Sequence, residues 1–348
     1  MTDGSGADAE AARPAIRRVE GPADPVEAES EPATEPLHAT VEAVLADARE
    51  YFAGEGAEPF GAPDDAFVEE SFFDFSYLEG YQEVHRRWVN EPFAYVSILY
   101  DAERNEYQYH VVEPTLDQFE QYVRADLITL LRNELIYMDF ESGNRDGVFM
   151  QQARDLVDEH AATVNDGTLH KVAYYLRRDF LGFGPIDPIM RDPGIEDISC
   201  DGSNVPVYVY HREYRDLPSN VAFGERKLNS FVVQLAQRAG RSVSVASPLV
   251  DASLPDGSRL QLTLGGDIST RGANFTIRKF ADVPYTPVDL IEWNTFSVEE
   301  MAYFWLAIEN NKSLLFAGGT GSGKTTSMNA VSFFIPQHSK VVTIEDTR

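Results

Sequence analysis

A single cysteine, Cys200, among 348 residues leaves no intramolecular disulfide and no Cys-built zinc site. Lysine is nearly as scarce. Of 29 basic residues 6 are Lys and 23 are Arg, and 57 acids oppose them, for a formal net charge of −28. A negative field of that size argues against general binding to nucleic acid or anionic membranes, which requires a cationic surface. Acid excess with so little lysine points to adaptation to multimolar salt, where a Debye length of ~3 Å at 1 M mutes self-repulsion. An acidic protein of ordinary habitat is the plainer alternative. Long apolar runs are missing as well: the stretch from Phe93 to Tyr100 falls far short of the ~18 residues a membrane span needs. The opening MTDGSGADAE has neither the basic nor the apolar region of a secretory signal. A soluble cytoplasmic chain is therefore expected. Its length predicts two or three domains at ~150 residues each.

What is present changes character along the chain. Residues 1–40 carry Pro14, Pro22, Pro25, Pro32 and Pro36 among Ala, Glu and Asp, and are expected to form a disordered acidic tail. Residues 1–70 hold 18 acids and 4 bases, a charge run that reads as solvation rather than a binding site. An α+β region is expected over 41–114. There VEAVLADAREYF and SYLEGYQEVHRRWV have helical spacing, while FAYVSILYD and NEYQYHVVE alternate as strands around a polar turn at Ala102–Asn105. TLDQFEQYVRADLITLLRNEL, VFMQQARDLVDEHAA and LHKVAYYLRRDFL predict a helical subdomain over 115–183. Gly182, Gly184, Pro185, Pro188 and Pro193 then punctuate the chain. An α/β domain over 184–283 follows, with strands in EDISCDG, PVYVYHREYRDL, RLQLTL and FTIRKF and a helix in ERKLNSFVVQLAQRAG ended by Gly240. Over 288–348, Ser297 and Glu300 form a capping box at the start of a helix running to about Asn310. SLLFA and KVVTIE read as buried strands flanking the helix KTTSMNAVSFFI, which Pro336 stops.

The chemistry concentrates at Gly318-Gly319-Thr320-Gly321-Ser322-Gly323-Lys324-Thr325, which fits the phosphate-loop pattern G-x-x-x-x-G-K-[ST]. Glycines let successive N–H groups point inward around a phosphate, and the following helix adds the positive end of its dipole. Lys324 is expected to reach the β- and γ-phosphates of ATP, and the Thr325 hydroxyl to ligate Mg²⁺. A structural Gly-rich turn is the bland alternative. Glu345 and Asp346 follow the next expected strand; they either orient the attacking water or merely cap an acidic strand. Arg241, Arg259, Arg271 and Arg278 are candidates for stabilising γ-phosphate charge, with surface ion pairing the plainer role for each. His110, His160, His170 and His211 lack metal-ligand spacing, and Cys200 reads as a small buried residue. The Tyr- and Phe-rich stretch 67–100 reads as core, because no basic groove accompanies it.

GPIDPIMRDPGIEDISCDG, ASPLVDASLPDGSRLQLTL, STRGANFTIRKF, GGTGSGKTT and TIEDTR together resemble the type II/IV secretion-system ATPase family, in its archaeal branch, over roughly residues 115–348. The resemblance implies an α/β chain: a mixed α/β N-terminal module with a helical subdomain, joined to the start of a RecA-like P-loop NTPase domain. It implies a Walker A loop over Gly318–Thr326, including Thr326, and the start of an aspartate box at Glu345 and Asp346. Arg259 and Arg278 match positions that approach the phosphates in relatives, and Arg271 is a weaker match. A hexameric ring, a membrane platform protein as partner, a place at the cytoplasmic face of the membrane and no direct nucleic-acid contact are implied too. Relatives continue beyond the aspartate box into Walker B and histidine-box segments, so the chain is expected to be a fragment of a motor. SLLFA and KVVTI are then expected to lack neighbours and to be poorly stable. A non-hydrolysing nucleotide-binding or assembly subunit is the alternative, and a P-loop kinase ranks behind both.

Overall fold

The computed structural model describes residues 34–54, 60–135, 164–266, 271–280, 285–319 and 322–344, together with residues 155 and 269. The expected helix at 148–162 lies outside them apart from residue 155.

Helix α1 spans Thr34–Ala53 and so begins inside the stretch expected to be unstructured. Pro36 falls in its first turn, where a missing N–H costs nothing. Val44, Ala48 and Phe52 recur every four residues and are buried against Phe72, Phe73 and Tyr95. SYLEGYQEVHRRWV is not a helix. Only Ser76–Leu78 form a 3₁₀ turn, Gly80 breaks the chain at φ +81°, and Gln82–Asn90 is strand β1. Tyr81, Val84 and Trp88 imitate helical spacing, but the segment takes its form from pairing with the buried neighbouring strand. That neighbour, β2 (Ala94–Asp101), forms the expected hairpin with β3 (Glu106–Val112). Its turn is closed by Asp101 Oδ1, which accepts from the backbone N–H of Glu103 and Arg104. The aromatic residues of this stretch are core: Phe72, Phe73 and Tyr95 are all buried.

Helices α2 (Gln118–Leu135) and α3 (Asp166–Phe180) pack through Val123, Leu127 and Leu131 against Leu169, Val172 and Leu176. A short helix, α4 (Asp187–Arg191), leads into β4 (Ile195–Cys200), β5 (Pro206–His211) and β6 (Arg215–Ala222). Helix α5 (Glu225–Arg238) follows, and Gly240 ends it at φ +66°, with the N–H of Arg241 bonded to Ala236 O and that of Gly240 to Gln237 O. Then come β7 (Leu249–Ser253), β8 (Arg259–Thr263) and β9 (Asn274–Arg278). Strand β7 was not anticipated.

The described strands form one nine-stranded sheet in the order β1-β2-β3-β6-β5-β4-β9-β8-β7. Every pairing is antiparallel except β3 with β6, which meet at the single parallel pair Tyr109↔Ser219. Asn220 reinforces that join: its side-chain oxygen accepts from Val111 N at 2.8 Å and its nitrogen donates to Val111 O at 2.9 Å. The alternating residues Ile198, Cys200, Leu260, Leu262, Phe275 and Ile277 face the core. Leu228, Phe231, Val232 and Leu235 of α5 cover them. Cys200 is buried there, as expected.

Helices α6 (Pro287–Glu292), α7 (Val298–Glu309) and α8 (Lys324–Ser332) form a separate small cluster around Leu290, Met301, Ala330 and Val331. Capping boxes open α6 (Thr286, Asp289) and α7 (Ser297, Glu300), the second as predicted. SLLFA and the described part of KVVTIE are not strands. A strand exists only through a ladder with a neighbour, and among the described residues neither segment has one. Leu315 and Ile344 are accordingly 91% and 96% exposed. The mixed α/β class is as the sequence predicts.

Candidate functional site

The phosphate-loop residues sit between α7 and α8. Thr320, Gly321, Glu345 and Asp346 lie outside the described residues. A Cβ on Gly318 would meet Ser322 Oγ at 2.5 Å, so a side chain there would displace the Ser322 hydroxyl from its place across the loop. Gly323, the N-cap of α8, has φ +77°, and no side chain caps the helix. The first turn of α8 therefore presents N–H groups without a capping side chain, which suits an anion. Ser322 Oγ donates to Gly319 O at 2.9 Å, and Lys324 Nζ folds back to donate to the same carbonyl. This lysine is half-buried with its charge on the loop, at the mouth where an incoming phosphate would compete for it. Thr325 is exposed and Thr326 half-buried in the same turn, while Ser327 N bonds Gly323 O at 2.8 Å and starts the helix.

These residues fit a polyphosphate. Among the described residues no cluster of three His, Cys, Asp or Glu side chains could hold a metal. A magnesium ion here would rest on the Thr325 hydroxyl and on phosphate oxygens of the nucleotide it accompanies. Beneath the loop, Leu314, Phe316, Met328 and Ile335 line an apolar cavity of about 490 Å³ that also touches Lys324 and Thr325.

Arg259 and Arg278 face each other as directly paired residues of β8 and β9. Like charges opposite each other repel, and Asp197 of β4 relieves this: it accepts from Arg278 Nε at 3.1 Å and Nη2 at 3.5 Å. That hydrogen bond, followed by the attraction of the carboxylate, raises the Arg278 pKa. Arg259 is half-buried and has no ion pair among the described residues. Among the described residues no hydrogen bond or ion pair joins either arginine to the phosphate loop. Arg271 lies in a turn where its carbonyl crowds Gly202, and Arg241 is exposed after α5. Lys279 points away from the Arg278 face and holds the carbonyls of Ile189 and Asp192. Sequence reading missed Asp197 as the partner of Arg278. Its segment, EDISCDG, was legible as a strand, but the register that sets it beside Arg278 is not a local property.

Comparison with known proteins gives two family matches. Residues 211–348 match the family described as type II/IV secretion system protein, and residues 57–115 match one described as PilB3-like, N-terminal. The chain is 45% identical over 178 residues to the uncharacterized protein MJ0900 of Methanocaldococcus jannaschii, covering 51% of this chain and 32% of that one. It is 35% identical over 207 residues to MJ1288 of the same organism, covering 58% of this chain and 82% of that one. The type IV secretion system protein PtlH of Bordetella pertussis is 33% identical over 143 residues, which are 35% of this chain and 42% of PtlH. Among solved structures, the VirB11 ATPase of the Brucella suis type IV secretion system in complex with sulphate aligns at 22% identity and a TM-score of 0.28, over 44% of this chain and 52% of VirB11. The chain thus spans about a third of MJ0900 and less than half of PtlH.

Proposed function

Because the chain belongs to the type II/IV secretion ATPase family, we propose that it binds ATP with magnesium at Gly318–Thr326 as part of a secretion or filament-assembly motor. The observation that carries this reading is the N-terminus of α8: no side chain caps it, it is entered through Gly323 at positive φ, and Lys324 is folded onto the loop beside it. Lys324 draws the β- and γ-phosphates, and Thr325 holds magnesium, which neutralises charge building on the phosphates. Arg259 and Arg278 serve the γ-phosphate, from this copy or a neighbouring one; their pairing on one sheet face supports joint action. Glu345 and Asp346 orient the water. In this reading the chain works in a hexameric ring against a membrane platform protein at the cytoplasmic face, assembling type IV pilus-like filaments or driving secretion. No helix among the described residues is long and apolar enough to cross a membrane.

The test is phosphate release from ATP by the purified chain in multimolar KCl, beside a Lys324→Ala variant. Turnover lost in the variant is the expected result. ATP binding that the variant loses, with no turnover in either, would favour a nucleotide-binding assembly subunit. Failure of the unaltered chain to bind ATP would sink the proposal.

A further inference from the structure

A second place in the molecule is built for an anion, remote in sequence from the phosphate loop. Helices α2, α3 and α5 line an open cavity of about 700 Å³ whose wall, among the described residues, includes Arg124, Arg178, Arg226 and Lys227 but a single carboxylate, Asp179. Four cations around one cavity are conspicuous in a chain with 29 basic residues against 57 acids. Random placement at that ratio would on average put about twice as many acids as bases on such a wall.

The four cations divide by their commitments. Arg178 donates from Nη1 to both oxygens of Glu113, at 2.8 and 2.6 Å, and from Nε to Asp179 at 2.9 Å. Arg124 pairs with the second oxygen of Asp179. The two guanidinium groups both lie against the Tyr175 ring, 4.6 and 4.7 Å from its centroid. Glu113 and Asp179 are thereby committed, while Glu225 of the first turn of α5 is exposed. Arg226 and Lys227 are exposed and have no ion pair among the described residues. They sit in the first turn of α5, whose N-cap, Gly224, offers no side-chain acceptor to the free N–H groups. Ile128, Phe180, Phe223 and Phe231 supply an apolar lining between these groups. The volume lies in the range of small-molecule sites, which combine an apolar lining with a few convergent polar groups.

We propose that this cavity between α2, α3 and α5 binds a phosphate ester, with its charged group at Arg226, Lys227 and the start of α5 and its remainder against Phe180. Arginine forks and an uncapped helix start both favour the dianionic oxygens of phosphate over a single carboxylate. The ester is either a soluble metabolite or the headgroup of a lipid, and both share this chemistry.

The experiment uses the full chain carrying Lys324→Ala, so that the phosphate loop does not contribute, and two probes: inorganic pyrophosphate by calorimetry and flotation with vesicles containing phosphatidic acid, whose headgroup is a phosphate monoester. A second chain adds Arg226→Ser and Lys227→Ser, exposed positions whose replacement is expected to leave the thermal melt unchanged. Pyrophosphate affinity is expected to fall at least tenfold in the second chain. Flotation lost in parallel would assign the lipid headgroup, and pyrophosphate binding without flotation the soluble ligand. If neither probe binds the Lys324→Ala chain, or if binding is the same in both chains, the proposal is overturned.

Discussion

The buried charges of the α2–α3 pair show how little tolerance a low-dielectric interior has for a lone ion. Lys171 and Glu120 are 2% and 4% exposed, with Nζ 3.1 Å from Oε2. Lys171 also donates to Ser71 O at 2.6 Å, and Glu120 accepts from Thr168 Oγ1 at 2.9 Å and from Asp117 N at 2.9 Å. Burial lowers the Lys171 pKa and the carboxylate pulls it back up. Glu120→Gln removes one charge and strands the other, so it should cost about 3–5 kcal/mol in urea melts. Glu120→Gln with Lys171→Met should cost much less than the single change. Equal losses would mean the pair does not act as a unit. His110 gives a second prediction at this scale. Its ring stacks on Tyr77 at 4.6 Å, and Asn220 Nδ2 lies 3.2 Å from Nε2. Since the Asn220 oxygen is committed to Val111 N, its nitrogen must face the ring, which requires Nε2 to accept and His110 to be neutral. Burial pushes the pKa of His110 down to about 4 from 6.5. The unfolded chain therefore binds the extra proton first as pH falls, and stability is complete above pH 6.5 and drains away towards pH 4. His110→Phe should flatten the slope of stability against pH in that window by about one proton, as read from melts at 0.5-unit steps. His170 and His211 are shifted the same way by burial and leave a residual slope.

Elements differ in how much of their cause is local. The Ser297–Glu300 capping box, the Gly240 helix end and the helix that starts at Lys324 could be read directly, because each is a contract between residues a few positions apart. The Ala102–Asn105 hairpin was legible for the same reason. Strand β1 was not. Its polar, edge-strand composition hides the period of two, and its form depends on β2. SLLFA failed in the opposite direction: its composition suits a buried strand, yet no strand among the described residues supplies the ladder. The join of β3 to β6 is equally non-local, since one backbone pair would hold it weakly and the Asn220 amide doubles the attachment. Asn220→Ala should therefore cost about 1–3 kcal/mol by leaving Val111 N–H and C=O unpaired. It should also speed amide exchange at Val111 well beyond any change at the centre of β8. Unaltered exchange at Val111 would show that the strands hold without the side chain.

For the whole molecule, charge is the property that most depends on its surroundings. A net charge of −28 on 348 residues opposes compaction at low ionic strength, and ion pairing within the chain leaves it untouched, because the 57 acids outnumber the 29 bases. Several that exist, such as Arg212 with Glu196, are half-exposed and contribute little. The buried pairs would resist salt, because screening acts on charges that solvent reaches. Added KCl should on balance stabilise the chain: the repulsion it removes is summed over the whole surface, whereas the attractions it weakens are few. The melting temperature is expected to climb between 0.1 and 2 M KCl, as the Debye length falls from ~10 Å to below ~3 Å, with most of the rise at the low end. Choline chloride at equal ionic strength should do the same if screening is the cause. Should the melting temperature stay flat or fall with both salts, self-repulsion is not what limits this fold, and the scarcity of lysine would need another explanation. A rise with KCl alone would point to bound cations rather than screening, and the surface carboxylates would then be the place to look for them.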